Sequence, residues 1–189
     1  MSIEMISRKK ILNDIYKEIV DRSKVIKSTG EEVRKLALTI HDIWDNAEKL
    51  YFYLSRIEQE LSTIIGYNIA SGSYKVEFAE ESEESSKTAF IFIPFRRSES
   101  RKISKKLDEL LENYTIIRKL LIKIINAKKN PDIAYLIKKT IIKYDLEYLI
   151  NQTLNDSIRL IDAVLNAWKI LLNKLMIPQQ LEIKTRRKT

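Results

Sequence analysis

The stretch from Val33 to Ile65 constrains the fold more than any other. Its apolar residues Val33, Leu36, Ile40, Ile43, Ala47, Leu50, Leu54, Ile57, Leu61 and Ile64 recur at alternating steps of three and four. That spacing keeps one stripe along a helix facing a partner for more than four heptads. With Val33 at position a, the e column reads Ala37, Trp44, Tyr51, Glu58 and Ile65, mostly apolar. An apolar face of about three positions in seven calls for more than one partner helix, so a bundle is expected rather than a two-stranded coil. Read as one helix, Glu31 to Ile65 would run roughly 50 Å.

Punctuation is scarce, with three glycines and three prolines in 189 residues. That favours long uninterrupted helices. Ser2 to Ser28 reads as a first helix, with Ile11, Leu12, Ile15, Ile19 and Ile26 on one side and Arg8 and Arg22 interrupting the seam. Ser28-Thr29-Gly30 supplies cap and breaker chemistry, with Thr29 and Glu32 spaced as a capping box for the second helix, which ends near Gly66.

After Tyr67 the period changes from 3.6 to 2. Tyr74, Val76 and Phe78 alternate with polar neighbours, Thr88 to Phe95 is rich in β-formers, and Glu80, Glu81, Glu83 and Glu84 lie between the two runs. This predicts a β-hairpin over about 73–96 with an acidic tip, Pro94 marking an edge. Phe90, Phe92 and Phe95 are its expected contacts with the bundle.

A third helix carries the seam Ile103, Leu107, Leu110, Tyr114, Ile117, Leu121 and Ile124 and stops at Lys128-Lys129-Asn130-Pro131. A fourth starts near Pro131 and continues with Leu154, Ile158, Ile161, Leu165, Trp168, Leu172 and Leu175, with a kink or register shift near Tyr144 to Asn155. Pro178 is expected to end it. The expected fold class is therefore mainly α: an elongated antiparallel bundle of four long, coiled-coil-like helices with a β-hairpin inserted between the second and third. One domain would span 1–177, and 178–189 would form a loose basic tail.

Absence of cysteine excludes disulfides, thiolate metal sites and a cysteine nucleophile, and the single histidine, His41, excludes a histidine-rich metal site. No apolar run approaches the about eighteen residues a membrane span needs, and the first residues are too charged for a signal peptide. A cytoplasmic or virion-associated protein is expected. Abundant Ile and Lys with rare Gln point to a thermophile-like, archaeal or viral origin. There is no Gly-rich phosphate loop, nucleophile elbow or dinucleotide fingerprint, so no catalytic residue, cofactor or metal ligand is assigned and no enzyme is expected.

The net charge of +8 is unevenly placed. Arg96 to Lys143 holds fourteen Lys or Arg against five Asp or Glu, while the rest of the chain has twenty against twenty-one. Arg96, Arg97, Arg101, Lys102, Lys105 and Lys106 gather where hairpin meets helix, and Lys128, Lys129, Lys138, Lys139 and Lys143 straddle the next turn. Clusters of this kind neutralise phosphates and give sequence-independent affinity, with Phe95 and Tyr135 placed to stack on bases. The expectation is a non-enzymatic, nucleic-acid-associated binding or assembly subunit that contacts phosphate backbone of DNA or RNA. Self-association or a protein partner would use the hairpin and the helix faces. The bland alternative is a solvated, lysine-rich helix face.

Two resemblances complete the reading. Arg34 and His41, both at position b of the expected second helix, resemble the Arg-x(4–6)-His motif of HEPN-type ribonucleases, which implies metal-independent RNA cleavage by side chains converging across a dimer. Lys35 follows the arginine where that family usually has a polar residue, and an outward, solvated pair is the commoner meaning of such spacing. The order helix, hairpin, helix over Glu31 to Lys129 resembles the β-type subunit of the archaeal prefoldin chaperone. That resemblance implies a structural, chaperone-like role without nucleic acid.

Overall fold

A computed structural model describes the backbone of residues 3–69, 73–78, 87–92 and 97–186, and the side chains of residues 9–66 and 98–174. Among the described residues there are six helices: α1 (Ile3–Leu36), α2 (Ile40–Asp45), α3 (Ala47–Ile69), α4 (Arg97–Lys129), α5 (Pro131–Lys143) and α6 (Leu146–Arg186).

Mainly α holds, but the expected four helices with an inserted β-hairpin are overturned. The apolar seam was continuous where the helix was not. What reads as one helix from Glu31 to Ile65 is the last turns of α1, the short α2 and most of α3. Ala37 to Thr39 leave the helix, and Thr39, extended at φ −132° and ψ 163°, restarts it. Its hydroxyl accepts from the Asp42 amide while the Asp42 carboxylate accepts from the Thr39 amide, a reciprocal capping box.

Thr29 and Gly30, expected to end a helix, instead lie buried inside α1. Small residues there let α6 come close: a Cβ built on Gly30 would sit 3.9 Å from the Leu154 side chain. Packing of α1 against α6 outweighs the roughly 1 kcal/mol of helix propensity a glycine gives up.

The expected fourth helix is also two. Tyr144 ends α5, and Asp145 adopts a left-handed φ of 48°, a conformation aspartate tolerates better than most residues. α6 then runs through Pro178 to Arg186, so that proline forfeits a backbone bond without ending the helix.

Among the described residues the strands are β1 (Ser73–Phe78) and β2 (Lys87–Phe92), which pair antiparallel from Ser73 opposite Phe92 to Phe78 opposite Lys87. Two six-residue strands make no layer of their own. Among the described residues all core packing is between helices, and a β-hairpin is not part of that packed fold. The contacts expected of Phe90, Phe92 and Phe95, and the acidic residues Glu80 to Glu84, lie outside the described side chains.

The core is a ring in which α1 packs on α3, α3 on α4, α4 on α6 and α6 on α1. Cross-helix partners give the directions. Lys27 meets Asp162 while Arg34 meets Asn155, so α1 and α6 are antiparallel. Arg118 meets Glu58 while Lys128 reaches the Asp45 carbonyl, so α4 runs against α3. The interior is Leu and Ile with two large anchors, Trp168 and Tyr114, both fully buried. The Tyr114 hydroxyl lies 2.7 Å from Ser157 Oγ, which itself donates to the Thr153 carbonyl. Both small polar residues therefore fit the inward face of α6.

This topology sorts the chain into two ends. The turn through α2, the C-terminus of α4, α5 and the start of α6 share one end; the starts of α1 and α4 share the other.

Candidate nucleic-acid interface

Continuity in sequence is not proximity here, because α4 runs nearly the length of the bundle and separates the two basic groups. From Arg101 to Lys128 the helix rises roughly 40 Å at about 1.5 Å per residue. One basic block in the sequence becomes two patches at opposite ends.

The first patch lies on the opening turns of α4. Ile103, Leu107 and Leu110 face the core, and Arg101, Lys102, Lys105 and Lys106 are exposed on the other side. Asp108 and Glu109 follow at spacings that allow i to i+3 and i to i+4 pairing, yet none of the four cations is ion-paired among the described residues. Arg96 lies outside the described residues; Arg97 opens α4, its side chain outside them as well.

The second patch is built by the end of α4 and by α5. Lys128, Lys129, Lys138, Lys139 and Lys143 are all exposed. Lys128 donates to the Asp45 carbonyl at 3.1 Å, Lys138 lies 5.8 Å from the Trp44 ring, and Lys139 lies 4.9 Å from the Tyr135 ring. These are contacts with a carbonyl and with ring faces, which leave each ammonium its full charge.

Sequence reasoning missed how much apolar surface accompanies the second patch. Ile133, Tyr135, Leu136 and Ile142 of α5 are 43–66% exposed, and Tyr144 and Tyr148 beyond it 57% and 63%. Only Ile141 of α5 is buried. A signal was present, since Ile133, Ala134, Tyr135, Leu136 and Ile137 form an apolar run longer than one stripe of a helix can bury.

The Arg34 and His41 pair dissolves. The two lie on different helices across the break at 37–39 rather than on one helical face. Arg34 is engaged by Asn155 Oδ1 at 2.7 Å, and His41 by Asp45 Oδ2 at 3.3 Å. The arms suggested by the prefoldin resemblance are not free either, because in the ring α3 also packs on α1 and α4 on α6.

Arginines on the inner flanks have structural partners. Arg22 binds Glu60 at 2.8 Å and Glu18 at 2.9 Å, and those hydrogen bonds raise its pKa further above the ordinary arginine value. Arg118 pairs with Glu58 at 3.0 Å. Burial nevertheless pushes the Glu58 carboxyl above its ordinary pKa, with Arg118 opposing the shift. An open groove of about 500 Å³ adjoins this pair, lined by Ser55, Glu58, Gln59, Ser62, Thr63 and Arg118.

Among the described residues no group of three His, Cys, Asp or Glu side chains is placed to hold a metal ion, and no helix is long and apolar enough to cross a membrane. Comparison with protein-family models, curated proteins and solved structures gives no match.

Proposed function

We propose that this chain is a nucleic-acid-associated binding or assembly subunit that contacts phosphate backbone without reading sequence. The observation that carries it is the set of four exposed cations, Arg101, Lys102, Lys105 and Lys106, on two successive turns of α4, none of them paired with a carboxylate among the described residues. Unpaired cations on a rigid helix keep their charge available, and each phosphate they neutralise releases counterions into bulk salt. The overall charge of +8 acts in the same direction by drawing a polyanion to the molecule. Held on a rigid bundle, the cations give up side-chain rotamer freedom but little backbone entropy when they meet the strand. The role is one of holding, with no bond made or broken.

The test is a titration of fluorescent single-stranded and duplex oligonucleotides at several salt concentrations. Log affinity should fall linearly with log salt, by about 0.9 per phosphate neutralised on duplex DNA. Replacing Arg101, Lys102, Lys105 and Lys106 together by Glu should cut that slope by about 3 to 4 while leaving the circular dichroism spectrum unchanged. Absence of binding at low salt, or an unchanged slope in the variant, would sink the reading.

A further inference from the structure

We infer that the α5 end of the bundle is a stacking site for unpaired bases, so that the protein prefers single-stranded nucleic acid to duplex. The inference rests on the nucleic-acid reading above but on different residues, at the other end of the molecule.

Three tyrosines, Tyr135, Tyr144 and Tyr148, present 57–66% of their surface to solvent within fourteen residues of chain. A tyrosine this open leaves much of its side chain uncovered, with one face of the Tyr135 ring taken by Lys139. Lys139 lies 4.9 Å from the Tyr135 ring, so a flat face and a cation already stand together as one unit. A base with its phosphate needs the same pair: a ring to stack on and a positive charge within reach. In a duplex the base faces are occupied by their neighbours, and only phosphates would meet this end. An unpaired strand can offer both.

An anionic bilayer is the other surface that answers to lysine and exposed apolar residues, and the layout of α5 argues against it. At about 100° per residue, Lys139 and Lys143 fall opposite the inward Ile137 and Ile141. The outermost line of α5 is therefore cationic, with Tyr135 on one flank and Leu136 on the other. An interfacial helix reverses that order, putting its apolar face deepest and its lysines at the rim.

The experiment compares fluorescent oligo-dT and a duplex of equal length at matched salt, for the native chain, the triple variant Tyr135→Ala/Tyr144→Ala/Tyr148→Ala, and the corresponding triple Tyr→Phe variant. Vesicles of phosphatidylglycerol and of phosphatidylcholine form a third arm. The native chain should bind the single strand more tightly than the duplex. The Ala variant should lose on the order of tenfold or more on the single strand and little on the duplex, and the Phe variant should retain binding because the ring remains. Equal affinity for both strands, or equal losses on both, would overturn the inference while leaving backbone binding intact. Failure to bind either would remove both readings. Capture by phosphatidylglycerol vesicles that is lost in the Ala variant, with oligo-dT binding unaffected, would assign this end to lipid instead.

Discussion

The buried Tyr114 and Ser157 pair shows how one hydroxyl decides the cost of losing another. Ser157 Oγ donates to the Thr153 carbonyl, so the Tyr114 hydroxyl must be the donor in the 2.7 Å bond between them. Burial, the first cause, raises the Tyr114 pKa, and the phenol stays neutral. Ser157→Ala strands that buried donor, at about 1–3 kcal/mol, whereas Tyr114→Phe leaves Ser157 still bonded to Thr153 and should cost nearer 1 kcal/mol. Urea midpoints of the two variants should fall in that order; the reverse order would mean the donor assignment is wrong. Glu58 makes a pH-dependent counterpart. Its carboxyl is raised by burial in the fold, so the folded state holds the proton more tightly than the unfolded chain, and stability falls as pH rises through the folded pKa. Glu58→Gln does not ionise, so its stability relative to the native chain should improve between pH 4 and pH 7. Chemical denaturation at the two pH values reads this directly. At this scale the apolar seams were legible: every residue of the Ile103 to Ile124 seam is buried, as are Leu154, Ile161 and Trp168. The polar residues on the same faces were not, because Thr153 and Ser157 look like gaps in an apolar pattern until their partners are known.

Helix ends were harder to read than helix faces, and Gly30 shows why. Ser28-Thr29-Gly30 has the composition of a stop, yet the contact with Leu154 belongs to a helix more than a hundred residues away and leaves no local mark. Gly30 lies in α1 with its φ outside the left-handed region, and a methyl group there would make an ordinary 3.9 Å contact. Gly30→Ala should therefore stabilise the protein by roughly 0.5–1 kcal/mol through backbone entropy and helix propensity. A turn at this position would give the opposite sign, so the thermal midpoint separates the two structures. The real break is held by Thr39, whose capping box with Asp42 is a short motif that the uninterrupted seam hid. Thr39→Ala should cost about 1 kcal/mol, and Thr39→Ser much less, since the serine hydroxyl can still accept the Asp42 amide. The break at Asp145 was better signalled. The seam of the fourth helix, traced backward, reaches polar Glu147 and Asn151, and that loss of register falls next to the residue where the backbone turns left-handed.

At the scale of the whole molecule, the long α4 converts one basic run of sequence into two exposed cationic patches at opposite ends of the bundle. The charge asymmetry was plain in the sequence, but its division was not, because composition carries no direction and the path of α4 does. If the α4 patch holds phosphate and the α5 end stacks bases, one strand must span the roughly 40 Å between them to use both. At about 3.4 Å per stacked nucleotide that distance takes about 12 nucleotides. Stacked oligo-dA of about six nucleotides can occupy either site alone, while about twenty-four can bridge them and turn the second contact into an intramolecular one. Affinity should then step upward, on the order of a hundredfold, as length passes the bridging threshold, with one long strand bound per protein. Loss of either end removes the bridge, so both the α4 charge-reversal variant and the Tyr→Ala variant should bind long and short strands with affinities differing only by the number of available registers. A smooth rise with length in the native chain, unchanged in both variants, would mean that the two ends act on separate strands and that the bundle is a cross-bridge between nucleic-acid molecules rather than a clamp along one.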